Sequence, residues 1–174
     1  LSSTQRTFNG DYSFAGTRTT YDYNVSDQGG TQYGNLTRTV ESAWDGSQWV
    51  DYRASKTVYN PNPTAHLTAL PARSVTLDCA SGCDFDGEGG KSGETLTLYD
   101  NASSASTAPT VGIPTASRAW VDGSDYSQVS YAYDSHGNLT GQTTYTSYGT
   151  AASAPASGAA TTTTAYETTY NTYA

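Results

Sequence analysis

Along much of the chain, apolar and polar residues alternate with a period of two. In Thr19-Thr20-Tyr21-Asp22-Tyr23 and Val129-Ser130-Tyr131-Ala132-Tyr133, two tyrosines fall on one face and small or polar residues on the other, the pattern of a half-buried strand. Ser74-Val75-Thr76-Leu77 and Thr95-Leu96-Thr97-Leu98-Tyr99 have the same character. Asp45-Gly46 separates Ser42-Ala43-Trp44 from Gln48-Trp49-Val50-Asp51-Tyr52, and Asp122-Gly123 follows Ala119-Trp120-Val121. Both dipeptides suit tight reversals in which Gly takes positive φ, and Gly137-Asn138 marks a third. Strands joined by such turns predict an all-β antiparallel meander. Irregular loops are expected at about 60–64, where prolines would break a central strand, and at 79–94. Two more are expected at 101–110 and 147–164, where small residues offer too little surface to order themselves.

Composition sharpens this picture. Of the 174 residues only 35% are hydrophobic, and the 15 Tyr and 3 Trp stand against 3 Phe and no Met. Burial must come mainly from rings that carry a polar handle, which suits amphipathic sheets. The net charge of −8 and the absence of a basic stripe argue against a nucleic-acid partner. No apolar run approaches the roughly 20 residues of a spanning helix. A first residue of Leu1, with no initiator Met or signal pattern, is expected of an internal or processed segment of a longer product.

Self-similarity is the most informative feature. Tyr21-Asp22-Tyr23 leads through an insertion, 24–32, to Gly34-Asn35-Leu36-Thr37. Tyr131-Ala132-Tyr133-Asp134-Ser135-His136-Gly137-Asn138-Leu139-Thr140 repeats that order without the insertion, and Leu98-Tyr99-Asp100 and Ala165-Tyr166-Glu167 are degenerate copies of its opening. In such a unit Tyr packs on a sheet face, the acid caps the turn or pairs with a neighbouring strand, Gly and Asn make the reversal, and Leu re-enters the core. A single unit leaves both sheet edges unpaired, and stacking on the next unit resolves this.

The ten-residue unit from Tyr131 to Thr140 resembles the YD repeat, Y-x-Y-D-x-x-G-N-L-T, of RHS proteins, insecticidal toxin-complex subunits and teneurins. The chain departs from it at the insertion, at Asp22, which precedes a Tyr rather than the turn, and around Cys79 to Glu94, which has no counterpart. The resemblance implies an antiparallel sheet that spirals into a shell or tube in a secreted or surface-displayed protein, with residues 1–174 as one segment of its wall.

Candidate chemistry is sparse. Cys79 and Cys83 flank Ala80-Ser81-Gly82, spacing that allows a disulfide in an oxidising compartment or two free thiols; the disulfide is the expectation. Asp84, Asp86 and Glu88 in a Gly-rich loop form a candidate calcium site, although the spacing departs from an EF-hand. Four sequons begin at Asn24, Asn35, Asn101 and Asn138; repeat geometry accounts for Asn35 and Asn138, leaving Asn101 as the candidate glycosylation site. His66, His136 and the many Ser and Asp residues form no nucleophile-elbow pattern, so no enzyme is expected. The expected function is a structural wall, shell or adhesin at the cell surface or outside the cell, whose partners are neighbouring repeats or copies of itself. Alternatives are a self-associating filament subunit and a carbohydrate-binding module using exposed Tyr, Trp49 or Trp120.

Overall fold

A computed structural model describes residues 1–8, 14–23, 33–80 and 82–166. The protein is all-β, an antiparallel meander whose ten strands lie in the sheet in the order in which they occur in the chain. They are β1 (Ser2–Phe8), β2 (Phe14–Tyr23), β3 (Leu36–Trp44), β4 (Trp49–Tyr59), β5 (Pro71–Asp78), β6 (Lys91–Tyr99), β7 (Pro114–Asp122), β8 (Asp125–Tyr133), β9 (Leu139–Tyr145) and β10 (Ala159–Thr163). Among the described residues the one helical element is a 3-10 turn at Pro63–Ala65. Its cap, Asn62, accepts from the Ala65 N–H, and proline occupies the first turn, where its missing donor does no harm.

The strands pack into two compact units, Leu1–Asn60 with Thr68–Glu94 and Pro61–Leu67 with Thr95–Ala174. In the first, Ala54, Val75, Leu77 and Cys79 form the core, with Val40, Cys83 and Phe85 packed against it. The period-two pattern of β5 accounts for part of this directly: Val75 and Leu77 are buried while Ser74 and Asp78 face solvent. At one end of this unit Phe14 stacks on Trp44 at 4.9 Å and Trp44 meets Trp49 edge-on at 5.5 Å. The Arg6 and Arg18 guanidinium groups lie over Phe14 and Trp49. Gly16 is required here, because a Cβ would sit 2.8 Å from the Gln5 carbonyl and 3.1 Å from the Trp49 ring.

The second unit centres on Leu96, Leu98, Ala116 and Tyr126, flanked by Ala105 and Trp120. Both cores are slim, so buried polar groups have to be paired. Arg118, 4% exposed, donates from Nε to the Gln128 side chain at 2.8 Å and from Nη1 to the Ala151 carbonyl at 2.8 Å. Burial lowers its pKa from the ordinary guanidinium value.

The hairpins expected at Asp45-Gly46 and Asp122-Gly123 are present, joining β3 to β4 and β7 to β8. The sequence expectation needs correcting at two of the stretches taken as irregular. β10 lies within 147–164: Ala159 to Thr163 carry little apolar surface, yet β9 supplies a template with which they pair from Tyr145 to Gly141. β6 begins at Lys91, inside 79–94, because its first residues extend along β5, where the Ser92 hydroxyl reaches the Thr76 carbonyl. β1 had no marked signal and forms against β2 over its whole length. The insertion 24–32, with Asn24, and the end of the degenerate copy at Glu167 lie outside the described residues.

Candidate functional site

One structural joint recurs through the protein. β2, β4, β6 and β8 each end in a tyrosine, and each tyrosine stands opposite the first residue of the returning strand: Tyr23 with Leu36, Tyr59 with Pro71, Tyr99 with Pro114, Tyr133 with Leu139. In all four the register shifts immediately before the tyrosine, leaving one extra residue in the returning strand: Thr37, Ala72, Thr115 and Thr140. Such a bulge bends the strand and re-aims its neighbours. Two of the bulged threonines close it from within. Thr37 Oγ1 donates to the Asp22 carbonyl at 3.2 Å and Thr115 Oγ1 to the Leu98 carbonyl at 3.3 Å. Gly34, Gly112 and Gly137 each lie two residues before the returning strand, with φ of 81°, 89° and 84°, a conformation that only Gly adopts without strain.

The tyrosine hydroxyls link successive joints. Tyr59 donates to the Leu36 carbonyl, Tyr133 to the Pro114 carbonyl and Tyr166 to the Leu139 carbonyl, each at 3.0 Å. In every case the acceptor is the residue that opposes the preceding tyrosine. Burial raises the Tyr59 and Tyr133 phenol pKa values, so both remain donors at neutral pH.

The acid that follows the tyrosine organises the turn. Asp134 accepts from the His136 N–H at 2.8 Å, the Asn138 N–H at 2.9 Å and the Asn138 side chain at 2.9 Å. These bonds, led by Asn138, hold its carboxyl below the usual aspartate range. Asp100 does more. Burial opposes its ionisation, yet the N–H groups of Val111, Gly112, Thr110 and Ile113 converge on the carboxylate and bring its pKa down to about 2. Asp45 and Asp84 serve the same purpose outside the joints, Asp45 accepting from the Gln48 and Ser47 N–H groups and Asp84 from those of Gly87 and Gly89. Between the Asp100 and Asp134 turns an open cleft of about 570 Å³ is lined by Asn101, Thr110, Val111, Tyr131 and Tyr133 among others. Both carboxylates at its rim already accept several hydrogen bonds, which leaves them poorly placed for acid–base chemistry.

The other residues singled out from the sequence are dispersed. Asp22 sits inside β2 opposite Arg38 and is not the turn acid; the residue after Tyr23 is Asn24. Tyr21 and Tyr131 lie within strands, and Leu36 and Leu139 begin theirs. Asp84, Asp86 and Glu88 do not converge, and no group of three potential ligands assembles among the described residues. Asp84 is taken by its own turn, Asp86 is exposed 3.8 Å from Arg38, and Glu88 is bound by Arg73 with Lys56 3.6 Å away. Ion pairing rather than calcium therefore explains that loop: Arg73 reaches Glu88 and also Glu94, which Lys91 meets at 2.7 Å. Cys79 and Cys83 are joined in a disulfide beside the core. Asn101 is exposed, whereas Asn35 is 9% exposed and its side chain donates to the Thr68 carbonyl. His66 caps the 3-10 turn with φ of 57°, and His136 lies exposed in the Asp134 turn.

Sequence reasoning missed Tyr59-Asn60 as a further copy of the joint, because the prolines at 61 and 63 masked it. The signal was available as tyrosine followed by Asn, Asp or Glu at Tyr23, Tyr59, Tyr99, Tyr133 and Tyr166. Comparison with protein-family models, curated proteins and solved structures found no match.

Proposed function

We propose that this chain is a structural wall segment of a large secreted or cell-surface protein of the YD-repeat type, an extended sheet that encloses or displays other material. The observation that supports this reading is the joint itself: four successive strand pairs share one tyrosine, one bulge and one register. A unit built that way adds strands indefinitely, each new hairpin resting on the last, which is the logic of repeat architectures. The carboxylates of Asp100, Asp134, Glu88 and Glu94 are committed to turns and ion pairs. The aromatic cluster at Phe14, Trp44 and Trp49 is packed ring on ring with arginines above it, which favours a role in holding the sheet over one as a sugar platform.

Electron microscopy of the native material, with mass spectrometry for chain length, tests the proposal. A hollow shell or tube formed by one very long chain is the expected result. A small, discrete, freely diffusing protein with glycan-binding or catalytic activity would sink it.

A further inference from the structure

Asp-Gly occurs three times in the chain, at Asp45-Gly46, Asp86-Gly87 and Asp122-Gly123, and the first and last continue identically to Ser47 and Ser124. Both Asp-Gly-Ser tripeptides are exposed and turn a hairpin, β3 to β4 and β7 to β8. Their carboxylates point differently. Asp45 Oδ1 reaches forward past Gly46, accepting from the N–H groups of Ser47 and Gln48 at 2.8 Å each and from the Ser47 hydroxyl at 2.9 Å. Those bonds, led by Gln48, hold its carboxyl below the usual aspartate range. In Asp86-Gly87 the Gly87 N–H is taken by Asp84 at 2.9 Å, and the Asp86 carboxylate stands 3.8 Å from Arg38. At Asp122 the carboxylate folds back on the peptide that follows it: the Gly123 N–H donates to Asp122 Oδ1 at 2.8 Å. Gly123 is held by Trp120 Nε1, which donates to its carbonyl at 3.0 Å, and the space where a side chain would stand is open.

We propose that Asp122 is a site of spontaneous backbone isomerisation, where the side chain closes with Gly123 to a cyclic imide that water opens to isoaspartate. The Gly123 nitrogen lies beside the carbon that carries Oδ1, the kind of contact from which a ring closes. The bond from Gly123 N to Asp122 Cγ forms, the Cγ–OH bond of the protonated carboxyl breaks, and the N–H hydrogen departs with that hydroxyl as water. A second water then opens the ring, and no electrons are transferred. Cleavage at Cγ restores Asp122. Cleavage at the main-chain carbonyl leaves the chain running through Cβ and Cγ, one methylene longer, with the former main-chain carbonyl now a free carboxylate. That methylene falls in a tight turn whose strands pair Asp122 with Asp125 and Trp120 with Tyr126. The lengthened chain cannot keep both the Asp122 pairing and the Trp120 bond to Gly123. At Asp45 the same closure has to break three hydrogen bonds made by one oxygen, in a carboxyl kept in the ionised form that gives up its oxygen poorly. At Asp86 the glycine N–H is turned towards another carboxylate.

The test ages the folded 174-residue chain in neutral buffer and reads isoaspartate peptide by peptide, by electron-transfer fragmentation, so that Asn9-Gly10, which lies outside the described residues, is counted separately. Isoaspartate is expected to accumulate at Asp122 about tenfold faster than at Asp45 or Asp86. In urea, where only the shared Asp-Gly-Ser tripeptide matters, Asp122 and Asp45 should isomerise at the same rate. Equal rates at Asp122 and Asp45 in the folded chain overturn the proposal, as does a faster rate at Asp45 or Asp86. A preference for Asp122 that survives undiminished in urea overturns it too, since the turn geometry would then have no part in it.

Discussion

A phenol hydroxyl that reaches a backbone carbonyl one joint away is worth about 1 kcal/mol of net stability. Tyr59→Phe and Tyr133→Phe are each expected to lower the unfolding free energy measured in urea by about 1 kcal/mol. Tyr131→Phe, whose hydroxyl has no hydrogen-bond partner among the described residues, should leave it unchanged. Asp100 carries a second prediction. Its carboxyl titrates near 3.8 in an unfolded chain and at about 2 in the folded protein, so the unfolded state takes up the proton first as pH falls. The stabilisation is complete above pH 4 and is lost as pH drops towards 2. Asp100→Asn should flatten that part of the pH–stability curve, measured by thermal melts between pH 5 and 2. An unchanged acid limb would show that the four N–H groups are not what holds the turn.

At the scale of the element, ion pairs help to fix the loop between β5 and β6, beside the apolar contacts of Cys83 and Phe85. Arg73 binds Glu88 and Glu94, and the Glu94 side chain is 4% exposed. Removing one partner of a buried pair leaves the other charge uncompensated. Because Lys91 and Lys56 remain nearby, Arg73→Met is expected to cost roughly 2–3 kcal/mol, less than loss of a sole partner. Adding Glu94→Gln should recover part of it, in a double-mutant cycle by chemical denaturation. This network was not legible in the sequence, where the same acids suggested calcium, because spacing shows which carboxylates are close along the chain and not which cation lies across the strand. The strands around Val75, Leu96 and Val129 were legible from alternation alone. β10 was not: Ala159 to Thr163 become a strand through β9, and a template contributed by tertiary structure leaves no local trace. Gly-Asn-Leu-Thr exposed two joints, while Tyr59 and Tyr99, whose returning strands begin with Pro71 and Pro114, kept the geometry without the words.

For the molecule as a whole, protection should follow burial. β5 and β8 hold Val75, Leu77 and Tyr126 at 5% exposure or less, whereas every residue of β10 is exposed. Amide hydrogen exchange is expected to be slowest in β5, β7 and β8 and faster by orders of magnitude in β10; uniform protection across all ten strands would contradict it. The joint also has an evolutionary consequence. Its two ends are fixed, tyrosine on one side and a strand opening on the other, but the stretch between them runs from residues 134–138 in one copy to residues 100–113 in another without disturbing the register that follows. Sequence can therefore be spliced into these intervals, lengthened or exchanged while the sheet stays in frame, so a lineage could diversify what it displays without having to reinvent what displays it.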